Sequence, residues 1–520
     1  MPTRMDFDLQ FGRSGRSKAG RRGLQGPMRM LILGDLTGDG ARSEHRPATA
    51  AASRKTCSID IDNFEQVMAR LAPRLQPEGG PPGGADAGIE FKSLDDFHPD
   101  GLFRRLAMFE PMRTMRARLL DPATSAAAIA ELAPGAVQRP GGPEPGRTAT
   151  GPESPADLED DQKTLARLLG PRPVDMARSA ARLARQQVDL DRFLRDIVAP
   201  HVVQDASPAQ RQLVDAVDAA AGALMRVLLH DPALQALEAL WRSLHGLLVN
   251  LETGEDLEIH LLDLSREALE AEMVAAAADP ASSSLFRLLV EEGPGDPGER
   301  SWSLLVGDYR FGNGERDTRI LAAVASIASR AGAPFLAAAD PLILGCRSLH
   351  DSPDPRTWPP VDAAAQSRWA GLRASPEAGW VGLALPRLLL RLPYGRDTDE
   401  VEQFAFEELA GNAHHEDYLW GNPAIACARL LGESFTAGGA AMQPGDHLDL
   451  GDLPAHTRLT DDGPALQACA EVFLPERAAD AILQRGLMPL MSFRNRNMVR
   501  LVRFQSIADP PGPLSGPWDD

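Results

Sequence analysis

Apolar residues recur along this chain with two periods, and the alternation between them lays out the predicted elements. Met5, Phe7, Leu9 and Phe11 alternate with Asp6, Asp8 and Gln10, the period-2 signature of a half-buried strand. Met28 to Leu36 (MRMLILGDL) is almost continuously apolar and reads as a buried strand, and Ser58–Ile61 as a short one. From Asp62 or Asn63 the period changes: Phe64, Val67, Met68 and Leu71 share one face of an amphipathic helix. Ile89–Lys92 reads as another strand, Ser93 with Asp96 as a cap, and a longer helix after Pro99 turns Leu102, Leu106, Phe109 and Met112 inward. Helices are predicted over Ala177–Val198, Pro208–Leu229 and Pro232–Leu251. Strands and helices then alternate: Leu257–Leu264 with Ser265 as an N-cap, Ser303–Tyr309, the helix Asp317–Ala331, and Pro334–Ala338. Val381–Ala384, Ala468–Phe473 and Val499–Phe504 add strands, and Asn422–Leu431 and Glu476–Arg485 add helices. Short apolar strands separated by helices predict a largely parallel sheet covered on both faces.

Between Ala133 and Gln162 this order breaks: Pro134, Pro140, Pro143, Pro145, Pro152 and Pro155 sit among Gly, Ser and Glu, which cannot build a core. Glu78–Gly88 reads as an exposed loop. The sequence therefore divides into a small α/β module (1–132), a Pro/Gly-rich linker (133–162), a helical connector (163–229), a larger mixed α/β domain (230–508) and a disordered tail (509–520). With 520 residues, two or three domains are the prior.

The net charge of −19 opposes general nucleic-acid binding, which needs a basic face. The Gly-rich segment Arg13–Arg29, with six basic residues and no acidic ones, is the exception and reads as a solvated connector. Cys57, Cys346, Cys427 and Cys469 are far apart and form no C-x-x-C pair, which fits a reducing cytoplasm without a disulfide framework. No apolar run is long enough for a membrane helix, and the first residues lack the continuous apolar core of a signal peptide. A cytoplasmic location is expected.

Each constellation with catalytic residue types has a structural reading that outweighs the chemical one. Gly34–Gly40 follows a strand, where phosphate loops sit, but carries no G-x-x-x-x-G-K-[ST]. Asp95, Asp96, His98 and Asp100 read as helix caps rather than metal ligands. His414-His415-Glu416-Asp417 lacks H-E-x-x-H and reads as a solvated loop. Gly307–Gly312 ends a strand where open α/β sheets bind ligands, yet no nucleophile with a base accompanies it. We therefore assign no catalytic, cofactor-binding or metal-binding residues, and no cofactor.

What is distinctive lies elsewhere. HDPALQALEALWRSLHGLL (His230–Leu248), LEIHLLDLS (Leu257–Ser265), LLVGDYRFG (Leu304–Gly312), AGAPFLAAADP (Ala331–Pro341), GLALPRLLLRLPYG (Gly382–Gly395), FAFEE (Phe404–Glu408), YLWGNPA (Tyr418–Ala424), LPAHT (Leu453–Thr457) and GLMPLMSFRNRN (Gly486–Asn497) follow one another in a fixed order. In that order, residues 230–506 resemble the large subunit of the type VI secretion contractile sheath (TssC, VipB or ImpC). RMDFDLQF (Arg4–Phe11), MRMLILGDLTG (Met28–Gly38), SIDIDNFEQVMARLAPRL (Ser58–Leu75) and IEFKSLDDFHPDGLF (Ile89–Phe103) make residues 4–132 similar to the small subunit (TssB, VipA or ImpB).

The resemblance implies a non-enzymatic structural protein, a fused small- and large-subunit component of a contractile sheath that works by protein–protein assembly. Implied partners are other sheath, tube or baseplate proteins and a ClpV-type ATPase, with no nucleic acid and no membrane insertion. In the family, heterodimers stack into a helical tube around an inner tube that contraction drives outward; the alternating strand Met5–Phe11 is a candidate for strand addition to a neighbour. The large subunit of the family continues beyond the equivalent of Phe504-Gln505-Ser506, a region for which this sequence has only a Pro/Gly tail. That makes a non-polymerising accessory or baseplate-associated homologue the alternative, with an α/β hydrolase more remote.

Overall fold

The computed structural model describes residues 26–42, 55–75, 88–132, 206–276, 279–292, 302–410, 414–460 and 463–519. Their centre is one nine-stranded sheet. In chain order its strands are β1 (Met28–Gly34), β2 (Cys57–Ile59), β3 (Leu257–Asp263), β4 (Leu304–Phe311), β5 (Phe335–Ala339), β6 (Val381–Leu385), β7 (Asp449–Leu450), β8 (Met488–Ser492) and β9 (Val499–Leu501). Their spatial order is β7-β9-β8-β6-β5-β4-β1-β3-β2. The six strands from β8 to β3 run parallel; β2 is antiparallel to β3 at one edge, and at the other β9 is antiparallel to β8 and β7 to β9.

The small module thus has no separate sheet around β1. Met28 through Gly34 pair with Leu257 through Asp263 on one side, and Met30–Leu33 pair with Leu304–Gly307 on the other. Both faces of such a strand are covered, which is why its sequence is a continuous apolar run rather than an alternating one. Met28, Met30 and Ile32 point into one core, and Leu31 and Leu33 into the core on the opposite face. Each is at most 2% exposed, so each contributes roughly 1.5–3 kcal/mol by the usual scale of apolar burial.

Helices cover both faces. On the first lie α1 (Phe64–Leu71), α2 (Glu110–Leu120), α3 (Ala206–Leu229) and α4 (Pro232–Asn250), with α6 (Pro423–Gly438) crossing beneath the central strands; α5 (Glu315–Ala331) covers the second. Local signals set several helix starts. Asp231 caps α4 by accepting from Ala233 N and Leu234 N, Asn422 caps α6, and Ser265 accepts from Ala268 N. Gly332, at φ 68°, takes the left-handed conformation that closes α5. Ser93 and Asp96 form the expected capping box, around a single 3-10 turn, Leu94–Phe97.

Several expectations are revised. The helix expected after Pro99 breaks into Pro99–Arg105, a 3-10 turn and α2, with Leu106 extended at ψ 130°. Pro111 explains this, because a proline in the first turn of α2 cannot continue a preceding helix. Ala468–Phe473 forms no strand: Glu471 takes φ 46°, and the Gln467 amide bonds Glu471 O, so the segment folds on itself. The ladder of Val499–Phe504 ends at Leu501. The described end of the expected connector, α3, is a core helix whose Leu213, Val217, Ala221 and Met225 are buried. Where a disordered tail was expected, Ile507 N and Ser515 N bond Val381 O and Gly379 O, and Leu514 and Trp518 are buried. The Trp518 indole N–H also donates to Leu514 O at 3.0 Å, so burial and hydrogen bonds together fasten that Pro/Gly segment. The strand Met5–Phe11, the linker and the helix Ala177–Val198 lie outside the described residues.

The shared sheet makes a prediction. Ile32→Ala should cost about 2–5 kcal/mol in urea unfolding, and amide exchange should accelerate in β3 and β4 as well as in β1. Acceleration confined to residues 26–132 would contradict a sheet that unfolds as one body.

Candidate functional site

Several of the motifs that carry the family likeness meet at the seam between residues 26–132 and the rest of the chain. At β1, the Arg29 guanidinium pairs with Glu258 at 3.0 Å. The Asp263 carboxylate accepts from Leu36 N (3.0 Å), Thr37 N (3.3 Å) and the Thr37 hydroxyl (3.0 Å). Trp241, fully buried in α4, donates its indole N–H to Leu36 O at 3.1 Å and meets the Phe64 ring edge-on at 5.7 Å.

A second set of contacts comes from the strap between Leu390 and Glu408. Phe103 lies 4.6 Å from Phe404, ring to ring, and His98 meets Tyr394 edge-on at 4.9 Å. The Asp100 carboxylate accepts from Glu402 N and Gln403 N at 3.1 and 2.9 Å. Asp218 of α3, 4% exposed, binds Arg116 of α2 at 2.7 Å and also accepts from Ala405 N. One buried carboxylate therefore ties together three stretches of chain.

Beneath the strap lies an ionic network. Glu238, with no exposed surface, accepts from Arg242 Nε at 2.7 Å and Arg391 Nε at 2.8 Å. Arg391 is bidentate to Glu408, at 2.7 and 3.0 Å, and Glu408 also accepts from Tyr394 N. Burial pushes the Glu238 carboxyl upward, but the charges of Arg391 and Arg242 outweigh it and hold it below its ordinary value. Burial likewise raises the Tyr394 phenol, whose hydroxyl accepts from Arg242.

Three of the motifs singled out in the sequence fall at this seam, and His414–Asp417 lies within the large region. Asp96 caps through Lys92 N and Ser93 N, and His98 Nδ1 accepts from Asp100 N, so that cluster is capping and tethering structure. His415 does not sit in a solvated loop: its ring stacks on His350 and Trp420, at 4.0 and 4.7 Å, and contacts Glu471 at 3.2 Å. Ligand atoms of His415, Glu416 and Glu471 come within 4.8 Å of one another, a spacing a metal ion could use. The Arg387 guanidinium occupies that position instead, bonding Glu416 at 2.9 and 3.0 Å and Glu471 at 2.8 Å. Burial pushes Glu471 up, yet His415 and Arg387 together hold it down at about 2. Gly34–Gly40 and Gly307–Gly312 meet at the carboxyl end of β1 and β4, beside a cavity of about 280 Å³ lined in part by Asp35, Asp308, Arg266 and Arg74. Arg74 is committed to Glu90 and Arg266 to Asp317. Sequence reasoning missed Glu238, Arg391, Glu408 and Asp218. The available signal was Arg391 within the apolar run LLLRLPY, where a charge needs a buried partner.

The described geometry is that of a scaffold: charged side chains are spent on holding segments together. The class of protein is given by comparison with known families, and it is that of the tail-sheath proteins. The family model for the EvpB/VC_A0108 tail sheath N-terminal domain matches residues 211–508, more than half of the chain, and the chain belongs to that family. A second model, for type VI secretion system VipA (VC_A0107 or Hcp2), matches residues 18–133. The type VI secretion system sheath protein TssC1 of Pseudomonas aeruginosa is 33% identical over 317 residues, 59% of this chain and 63% of that protein. The sheath protein TssB1 of the same organism is 30% identical over 106 residues, 19% of this chain and 57% of that protein. The chain thus spans less than two thirds of each relative, and it carries small- and large-subunit regions in one polypeptide. Among the described residues, no helix is long and apolar enough to cross a membrane.

Removing the charge of Arg391 while keeping most of its length, as in Arg391→Met, should cost about 3–5 kcal/mol, because Glu238 and Glu408 would stay buried without their shared cation. Thermal unfolding measures this; a loss no larger than that of an exposed arginine variant would refute the network's role.

Proposed function

We propose that this chain is a structural building block of a type VI secretion contractile sheath in which one polypeptide supplies the equivalents of both subunits. It works by protein–protein assembly, without covalent chemistry, and meets other sheath proteins, tube or baseplate proteins and a ClpV-type ATPase in the cytoplasm. The observation that carries this reading is the position of β1, which is hydrogen-bonded between β3 and β4. A strand from the small-subunit region in the middle of the large-subunit sheet is what a pre-assembled pair requires. The peptide link then raises the effective concentration of the two parts rather than shaping their contact.

Two experiments test this. A protease site introduced at residue 145 should, once cut, leave two fragments that co-elute on size exclusion without denaturant; separation of the fragments would contradict pre-assembly. Negative-stain microscopy of the chain with sheath subunits should show it in regular tubes, and small particles under all conditions would count against the sheath role.

A further inference from the structure

The seam at β1 carries two acidic groups that the scaffold reading does not use. Asp35 immediately follows β1, and Asp308 lies in β4, the strand paired with it. The two backbones run so close that a Cβ placed on Gly34 would lie 3.1 Å from the Asp308 Cβ. One Asp35 oxygen, Oδ2, accepts from Gly40 N at 2.9 Å. The other, Oδ1, is buried and has no hydrogen-bond donor among the described residues.

Among the described residues, no cation is hydrogen-bonded to that oxygen. Asp263 and Asp39 add negative charge beside Asp35, and Glu267 approaches through Gly40. Arg266, from the helix after β3, pairs with Asp317 through Nη2 while its buried Nη1 has no acceptor among the described residues, and Arg74 pairs with Glu90. Arg310 on β4 favours the charged form of Asp308, and the Asn422 amide of the α6 cap donates to that carboxylate. A buried acceptor with no donor costs about 1–3 kcal/mol, and a proton on the Asp35 carboxyl removes the buried charge that lacks one. The 280 Å³ cavity that both side chains line far exceeds the roughly 10–15 Å³ that one water needs, so protons can reach the pair.

We propose that Asp35 and Asp308 form a proton-holding pair across the β1–β4 seam, so that the joint between the two sheath regions tightens on mild acidification and loosens as the proton leaves. Electrostatics agrees with the geometry. Burial, opposed by the backbone N–H groups of Gly40 and Asp39 and reinforced by the Asp263 charge, raises Asp35 to about 6; burial, opposed by Asn422 and Arg310 and reinforced by Asp35, raises Asp308 to about 6. The sign follows from linkage: the folded chain holds these protons more tightly than the unfolded chain, so stability falls as pH rises from about 4 to about 6 and stays low above. Carboxylates held down by arginines, such as Glu471, act in the opposite sense below that window. A single-site variant is therefore needed to isolate the pair.

The test is thermal and urea unfolding of the full chain and of Asp308→Asn between pH 5 and 7.5, with the exposed Asp480→Asn as a control for overall charge. At pH 7.5, Asp308→Asn should raise the folded-to-unfolded ratio roughly ten- to a hundredfold, since a buried carboxylate that must ionise costs a factor of ten for every pH step by which folding delays its ionisation. The gain should shrink toward pH 5, whereas Asp480→Asn shows no such closing gap. A gain independent of pH, or a loss at both pH values, would overturn the proposal. If Asp308→Asn does not fold, Asp35→Asn must show the same closing gap, and its absence there is equally decisive. The outcome does not depend on tube formation, so it can fail while the sheath reading stands.

Discussion

A parallel strand buried on both faces cannot exist alone. β1 has seven residues whose backbone groups need partners on two sides and whose side chains need cover on two faces. Strands more than 220 residues further along the chain supply the hydrogen bonds, and two separate cores supply the cover. The other contacts between residues 26–132 and the rest follow from this insertion. Once β1 is in place, Leu36 and Thr37 sit under Trp241 and Asp263, and α1 lies against α4.

Electrostatics then decides how tightly the strap is drawn over the joint. Moving Glu238, Glu408 and Arg391 out of water costs several kcal/mol per charge, which close pairing offsets only when the remaining donors and acceptors are also satisfied. Here Glu408 is bidentate to Arg391 and takes a backbone N–H, and Glu238 takes two guanidinium N–H groups while one of its oxygens has none. The planar fork of an arginine can reach two carboxylates at once, which a lysine ammonium cannot match. Net stability from such a network is small, but its geometric demand is strict, so it fixes the register of the strap on α4. Asp218 and Asp100 do the same with backbone N–H groups further along the strap.

This division of labour explains what was legible beforehand. Helix starts at Asp231, Ser265 and Asn422 are encoded within three residues, and the sequence shows them directly. The break at Pro111 was equally local and was overridden by an apolar period that ran across it. Met28–Leu36 was recognisable as a buried strand, but its neighbours were not, because pairing across such a separation leaves no periodic trace. Within the acidic motif Asp95–Asp100, Asp96 caps a turn as its position suggests, whereas Asp100 tethers Gln403, 303 residues away, which no local pattern announces. The network residues look like ordinary charges on a helix and in a strap until the fold closes over them.

The topology also gives a reason for joining the two regions covalently. β3 and β4 are consecutive strands of the large region, but they are not neighbours, since β1 separates them. Without β1 the connection through the helix Arg266–Ala275 would span a gap one strand wide, near 10 Å at the usual spacing, and would leave two unpaired edges facing it. Such edges recruit other chains. A single polypeptide that carries the missing strand ahead of β3 and β4 has it at hand when they are made, because earlier segments emerge first during synthesis. The order of the regions along the chain, small before large, is therefore the one that keeps the gap from standing open.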